Sequence, residues 1–283
     1  MIPAPFDYEA PRTLGEALAM LASRPDAKLL AGGHSLLPAM KLRLASAGTL
    51  IDLGRISGLS YIRHTGDGFA IGAMTRHAEI AGSDLLHALC PLLAQAASEI
   101  GDVQVRNAGT LGGSLAAAHP AADYPAAVLA LDGEMVAMSQ HGDRVIAARD
   151  FFTGMFTTAL KPDEILTEIR LRSTAGSGSA YKKFRHPASG FAVVGVAANV
   201  RMMSGKIMSA AVGITGVGER AYRATAVENA LRGKPASAIA AASERAADGV
   251  AALADNFASA EYRQHLARVF TRRALEEAAA RAG

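Results

Sequence analysis

The sequence predicts an α+β protein built in two parts, and three observations carry that reading. Near the N-terminus a helical stretch, a short apolar stretch and a glycine pair follow one another in that order. A Gly/Ser-rich connection from Ser173 to Ser179 then marks a soft boundary. Beyond it, strand-like segments precede an alanine-rich helical remainder, the pattern of a small antiparallel sheet with helices. At 283 residues the chain is long enough for two domains of about 100–200 residues each.

Thr13-Leu14-Gly15-Glu16 has the form of a capping box, with Thr13 capping a helix and Glu16 reaching back. That helix passes through Met20 and Leu21 and ends near Arg24-Pro25, where proline cannot continue it. Lys28 to Ala31 reads as a buried strand leading into Gly32-Gly33-His34-Ser35, and Leu50 to Leu53 as a second strand closed by Gly54. Phe69 to Gly72 is a third, after which Thr75 starts a helix through Glu79. From Ser83 to Ile100 apolar residues sit at helical spacing, with Pro91 splitting the stretch and Gly101 placed to end it. Ala126 to Leu131 reads as a strand turned at Asp132-Gly133. Met135 to Met138 and Arg144 to Ala147 form a hairpin about His141-Gly142. Phe151 to Leu160 leads into a turn at Lys161-Pro162-Asp163, and Ile165 to Leu171 alternates as a strand. In the second part Ala180 to Arg185, Phe191 to Met202 and Lys206 to Thr215 are strands, the last two joined at Gly205. Thr225-Ala226-Val227-Glu228 has the form of a second capping box, and a long helix closes the chain from about Ala260 to Ala282.

Two stretches share a chemical character: LLAGGHSLLPAMK from Leu29 and RNAGTLGGSLAAAHPAADYPAA from Arg106. Each pairs adjacent glycines with small polar residues. Adjacent glycines let a backbone turn sharply and approach a ligand, and successive N–H groups in such a turn form a nest for phosphate oxygens. Two nests about eighty residues apart predict one anion held between two loops. Neither matches a Walker loop or G-x-G-x-x-G, so a Rossmann reading lacks its fingerprint. His34 lies inside the first nest, where it caps the turn, meets a ligand or bonds covalently to a flavin. Asp123 is either a turn residue before Pro125 or the acceptor for a ribityl or ribose hydroxyl. No HExxH, Cys/His ligand cluster, G-x-S-x-G elbow or acid–base dyad occurs, so the chain offers a cradle without catalytic machinery of its own.

Half the residues are hydrophobic, 19% are charged and the net charge is +3, an ordinary globular composition. The sequence pI is about 9.1, yet Lys182-Lys183 with Arg185 and Arg272-Arg273 are the largest basic clusters. With 5% aromatics and no Trp, these do not make a nucleic-acid surface. Cys90 is the single cysteine, so the chain can neither close an internal disulfide nor ligate an iron–sulfur cluster. No apolar run reaches the roughly 20 residues of a membrane span, and no secretory signal is visible, which predicts a cytoplasmic protein.

AGGHSLLPAMKLRLA, NAGTLGGSLAAAHPAADYP, DFFTGMFTTALKPDEILTEI and YKKFRHPASGFAVVGVAA resemble, in that order, the FAD-binding medium subunit of molybdenum hydroxylases. Relatives are the carbon monoxide dehydrogenase medium subunit and the flavin domain of xanthine dehydrogenase. The resemblance covers essentially the whole chain. It implies a vanillyl-alcohol-oxidase (PCMH) type FAD-binding domain of two α+β subdomains over residues 1–175, dividing near residue 55. A C-terminal α+β domain of the carbon monoxide dehydrogenase flavoprotein type would follow over 176–283. It further implies non-covalent FAD, wrapped at the pyrophosphate by Leu30, Ala31, Gly32, Gly33, His34, Ser35 and Leu36. Thr110, Leu111, Gly112, Gly113 and Ser114 would form the opposing loop, with Gly101 and Ala117 beside it. Asp123 would hold a ribityl hydroxyl, Leu166 would lie near the adenine or the ring, and Lys182 or Lys183 near the flavin. Phe191, at the start of its strand, would cover one face of the isoalloxazine. Many relatives carry Asp where His119 stands, Leu where Tyr124 stands and an acid where Gly190 stands.

By the same resemblance, the partners are a large molybdopterin-binding subunit and a small [2Fe–2S] subunit, assembled as a dimer of heterotrimers. Electrons would pass from the small subunit's clusters through FAD to an external acceptor. Two other readings stay open: a stand-alone flavin oxidase or dehydrogenase, and a non-catalytic assembly module that keeps the fold.

Overall fold

The structure, a computed structural model, describes residues 1–66 and 68–282. The chain opens with β1 (Asp7–Glu9), α1 (Leu14–Ser23), β2 (Ala27–Leu30), α2 (Leu36–Lys41) and β3 (Thr49–Asp52). These strands form a parallel sheet in the order β1-β3-β2, the helices serving as crossovers. The expected capping box is present. Thr13 Oγ1 accepts from Glu16 N–H at 3.2 Å, and the Glu16 carboxylate accepts from Thr13 N–H at 3.3 Å. β2, expected to be buried, is only partly so, because it lies at the sheet edge.

Next come β4 (Ile62–Thr65), β5 (Gly68–Gly72), α3 (His77–Ala81), α4 (Asp84–Leu89), α5 (Pro91–Ser98), α6 (Val103–Ala108), α7 (Leu111–Ala117) and α8 (Asp123–Ala130). The hairpin β6 (Glu134–Ser139)–β7 (Gly142–Ala147), α9 (Ala148–Phe151), β8 (Phe152–Gly154), β9 (Thr157–Thr158) and β10 (Ile165–Arg172) follow. An antiparallel sheet in the order β4-β5-β10-β6-β7 turns Phe69, Ile71, Met135, Ile169 and Leu171 into a core with Leu92, Leu93, Leu111 and Leu115 of the helices. Thr75 does not start α3. Its hydroxyl pairs with the main chain of Tyr61 at 3.0 Å, and the helix begins after Arg76, whose N–H is capped by Glu79 at 2.7 Å.

The remaining elements are β11 (Gly178–Arg185), β12 (Ala192–Met203), β13 (Lys206–Thr215), β14 (Tyr222–Arg223), α10 (Thr225–Leu231), α11 (Ile239–Ser243) and α12 (Ala260–Arg281). β11 to β14 make an antiparallel sheet in sequence order, with Ser204 (φ +52°) and Gly205 (φ +73°) forming the tight β12–β13 turn. α12 covers one face through Leu266, Phe270, Ala274 and Leu275. The expected second capping box does not form: Glu228 instead accepts from Val212 N–H at 2.7 Å and from the Arg223 guanidinium.

The segment read as a strand from Ala126 to Leu131 is the body of α8, and every one of that helix's residues is buried. It packs against β12 and β13 on one side and shares an apolar core with α5 and α7. Gly213 on β13 lets the helix backbone come close, since a Cβ there would sit 2.0 Å from Ala126 O. A helix buried all round carries neither a stripe nor an alternation, so its apolar run cannot be told from a buried strand by periodicity.

Candidate functional site

The two glycine stretches meet. A Cβ on Gly32 would lie 2.3 Å from Ala108 O and 2.6 Å from Gly109 Cα, and one on Gly113 would lie 3.2 Å from Ala31 Cβ. Gly33 turns the chain at φ +75°, a left-handed conformation costly for residues with a Cβ. Between this turn and α2 the main-chain N–H groups of Gly32, Gly33, His34, Ser35 and Leu36 donate to no acceptor among the described residues. His34 and Ser35 are exposed, and Leu30, Ala31 and Leu36 are half-buried. Consecutive N–H groups on a glycine turn, free of protein acceptors, fit a phosphate-bearing group.

The second stretch is not a nest. Thr110, Leu111, Gly112, Gly113 and Ser114 form the cap and first turn of α7, and the N–H groups of Leu111 to Ser114 are already engaged. Thr110 Oγ1 accepts from Gly113 N–H at 3.2 Å and Thr110 O accepts from Ser114 N–H. Thr75 O accepts from Leu111 N–H, and Ala73 O from Gly112 N–H at 2.8 Å. The glycines serve close packing: a Cβ on Gly112 would lie 2.4 Å from Ala73 Cβ. Leu166, on β10 and buried, precedes Thr167, whose carbonyl accepts from Ala73 N–H at 2.9 Å. Ala117 closes α7, and Ala118 turns the chain at φ +44°. The expected pair of nests is therefore one nest facing a capped helix end.

Beneath the junction lies His77, which sequence reasoning missed. A Cβ on Gly109 would meet its Nε2 at 2.5 Å. Its Nδ1 is buried without a partner among the described residues, and its ring stands edge-on to Tyr124 at 5.2 Å. Burial, with the nearby positive charges of His34 and Arg106, pushes the His77 pKa down to about 4. The imidazole is therefore neutral near pH 7.

A second group binds the two parts of the chain together. The Asp123 carboxylate accepts from the Tyr181 hydroxyl at 2.6 Å and from Lys183 Nζ at 3.0 Å, with the Lys183 side chain 1% and the Asp123 side chain 4% exposed. Lys183 also donates to Glu99 O at 2.9 Å, and Tyr181 N–H donates to Gln95 Oε1. Arg185 reaches Glu99 O and Gly101 O, and Arg106 also donates to Gly101 O. Gly101 itself takes φ +49°. Burial raises the Asp123 pKa and lowers that of Lys183, while each partner's charge pulls the other back toward ionisation. Lys182, the alternative lysine, is set apart: alternation along β11 sends it to the opposite face, where it pairs with Glu277 of α12. Tyr181 and Lys183 share a face by that period of two, a signal present in the sequence.

Phe191 sits just before β12 rather than within it, and is 40% exposed. Its ring stacks on His119 with centroids 4.4 Å apart and planes at 12°. A cavity of about 990 Å³ opens elsewhere, over Arg63, Arg170 and Arg172 of the five-stranded sheet. None of the expected site residues lines it. Among the described residues no helix is long and apolar enough to cross a membrane.

Comparison with known proteins agrees with this geometry. Residues 4–172 match the family described as FAD binding domain in molybdopterin dehydrogenase, and residues 179–278 match the CO dehydrogenase flavoprotein C-terminal domain. The carbon monoxide dehydrogenase medium chain of Hydrogenophaga pseudoflava is 40% identical, covering 99% of each chain. The glyceraldehyde dehydrogenase medium chain of Sulfolobus acidocaldarius is 33% identical, over 99% of this chain and 100% of its own. A solved structure of the Hydrogenophaga pseudoflava carbon monoxide dehydrogenase, in a form lacking the Mo-pyranopterin moiety of its cofactor, superposes with a TM-score of 0.97 at 41% identity, covering both chains fully. The nest, the capped helix facing it and these full-length matches agree: the chain belongs to the FAD-binding medium subunits of the molybdenum hydroxylases.

Proposed function

We propose that this chain is the flavin-bearing electron-transfer link of a multi-subunit molybdenum hydroxylase. In this reading it receives electrons from the [2Fe–2S] clusters of a small subunit and delivers them to an external acceptor. The observation that carries the proposal is the run of unengaged N–H groups from Gly32 to Leu36, facing α7 without an acid–base dyad beside it. FAD, when bound, supplies the redox chemistry, and the protein supplies orientation and electrostatics. The Gly32–Leu36 turn holds the diphosphate, the Thr110 and Ser114 hydroxyls face it from α7, and Gly101, Leu166 and Ala117 line the approach. Asp123, fixed by Tyr181 and Lys183, presents its remaining lone pairs to a ribityl hydroxyl, and Phe191 packs against the ring. With one cysteine, the chain depends on partner subunits for the clusters and the molybdopterin. Those partners are a large and a small subunit, assembled with this chain as a dimer of heterotrimers in the cytoplasm.

The same reading divides the chain into residues 1–175, with subdomains meeting near residue 55, and 176–283. In its support, the β11–β14 sheet and α12 enclose an apolar cluster of their own. The test is an absorbance spectrum of the purified chain before and after acid precipitation. Flavin bands that move wholly to the supernatant and match FAD support the proposal with a non-covalent cofactor. Bands retained in the pellet point to a covalent link at His34 and a stand-alone oxidase. A colourless chain that takes up no added FAD, alone or with its partners, removes the proposal.

A further inference from the structure

Three segments distant in sequence bring aromatic rings to one place. His119 lies two residues beyond α7, Phe156 lies on the β8–β9 link, and Phe191 ends the loop from β11 to β12. The Phe156 ring stands edge-on to His119 at 5.1 Å and 82°, and Phe191 lies flat on it at 4.4 Å. Phe156 is 59% exposed and Phe191 40%, so these rings do not belong to a core. Their placement is nevertheless fixed. His119 Nδ1 accepts from Ala121 N–H at 3.1 Å, which orients the imidazole. Phe156 N–H donates to Ala118 O, and Pro120 O accepts from Thr215 Oγ1 at 2.7 Å and from Gly216 N–H at 2.9 Å. Phe191 O accepts from His186 N–H at 2.8 Å, and Gly190 turns the loop at φ +72°.

Among the described residues His119 is the one ring that stacks on Phe191, and Phe191 remains 40% exposed. α7, seven residues or about 10 Å long, separates this cluster from the end of the helix that faces the nest. We propose that His119 is a positioning residue: its imidazole backs Phe191 and holds that ring as the wall against which the isoalloxazine of FAD packs. The inference rests on the reading of this chain as an FAD subunit. Burial lowers the His119 pKa and keeps the ring neutral, the state that stacks face to face without bringing a charge. Phe156 braces His119 from its edge.

The test uses the full chain, purified alone and with its partner subunits, titrated with FAD and followed by flavin fluorescence, which stacking quenches. His119→Ala is expected to weaken FAD binding about two- to tenfold and raise the fluorescence of the bound flavin. His119→Phe, which restores a flat ring, recovers both. In a Phe191→Ala background, His119→Ala adds no further change, because His119 acts through Phe191. Wild-type affinity and quenching in His119→Ala alongside a defective Phe191→Ala overturn the proposal, as does full additivity of the two substitutions. A wild-type chain that binds no FAD in either preparation overturns the FAD reading itself, and a chain that binds FAD but is indifferent to Phe191→Ala overturns only the wall.

Discussion

Replacing Lys183 by methionine keeps the length and most of the apolar stem of the side chain and removes the ammonium. The Asp123 carboxylate then keeps one recorded side-chain partner, the Tyr181 hydroxyl, in a position where its side chain is 4% exposed. Removing one member of a buried ion pair costs about 3–5 kcal/mol, because the charge left behind is neither solvated nor compensated. Against a total stability of about 5–15 kcal/mol that is a large fraction. The deficit depends on pH. Burial already holds the Asp123 pKa above its ordinary 3.8, and losing Lys183 raises it further. Between the ordinary and the raised value the native state holds a proton that the unfolded chain has released, so stability falls as pH rises through that window. Urea unfolding of Lys183→Met, followed by far-ultraviolet circular dichroism, is therefore expected to show its largest deficit near pH 8 and a smaller one near pH 5. Replacing Asp123 by asparagine in the same chain removes the orphaned charge and recovers most of the loss at the higher pH. A deficit below about 1 kcal/mol that does not change with pH refutes the argument, since only a solvated pair behaves that way.

Other outcomes follow from single contacts. Gly32→Ala forces a Cβ to within 2.3 Å of the Ala108 carbonyl, which parts the nest from the loop before α7. The chain is expected to lose about 1–3 kcal/mol and most of its flavin, read as the ratio of visible to protein absorbance; full flavin content would contradict the contact. Tyr124→Phe removes a buried hydroxyl that has no partner among the described residues, so the melting temperature is expected to hold or rise, by about 1 kcal/mol of stability. Cys90 is buried, and burial pushes its thiol pKa up to about 12. A thiol reagent is expected to find no reactive group in the native chain and one after unfolding; rapid native labelling would place Cys90 at the surface.

Where a feature depends on residues a few positions apart, it was legible in the chain alone. The Thr13–Glu16 capping box, the β6–β7 and β12–β13 hairpins, the division of α4 from α5 at Pro91 and the length of α12 all follow from local chemistry. The glycine-bearing segments were also sufficient to mark the family. What local chemistry could not supply was the identity of partners. Thr225-Ala226-Val227-Glu228 has the form of a cap, but Glu228 is drawn away by Val212 and Arg223. Ala126 to Leu131 satisfies a strand or a helix equally, because a segment buried all round shows neither period. Gly112 and Gly113 read as a nest until Ala73, Thr75 and Thr110 take up the N–H groups that a nest needs free.

The sequence by itself determined many of the elements, the first glycine turn and the membership of the family, because each rests on short-range backbone preference or on recognisable residue patterns. The tertiary structure alone decided which lysine meets Asp123, which glycine stretch keeps its N–H groups free and which packs, and that His119 stacks on Phe191. The reason is physical: Asp123 bonds residues 58 and 60 positions away, and a buried charge or a stacked ring is defined by the surface brought against it.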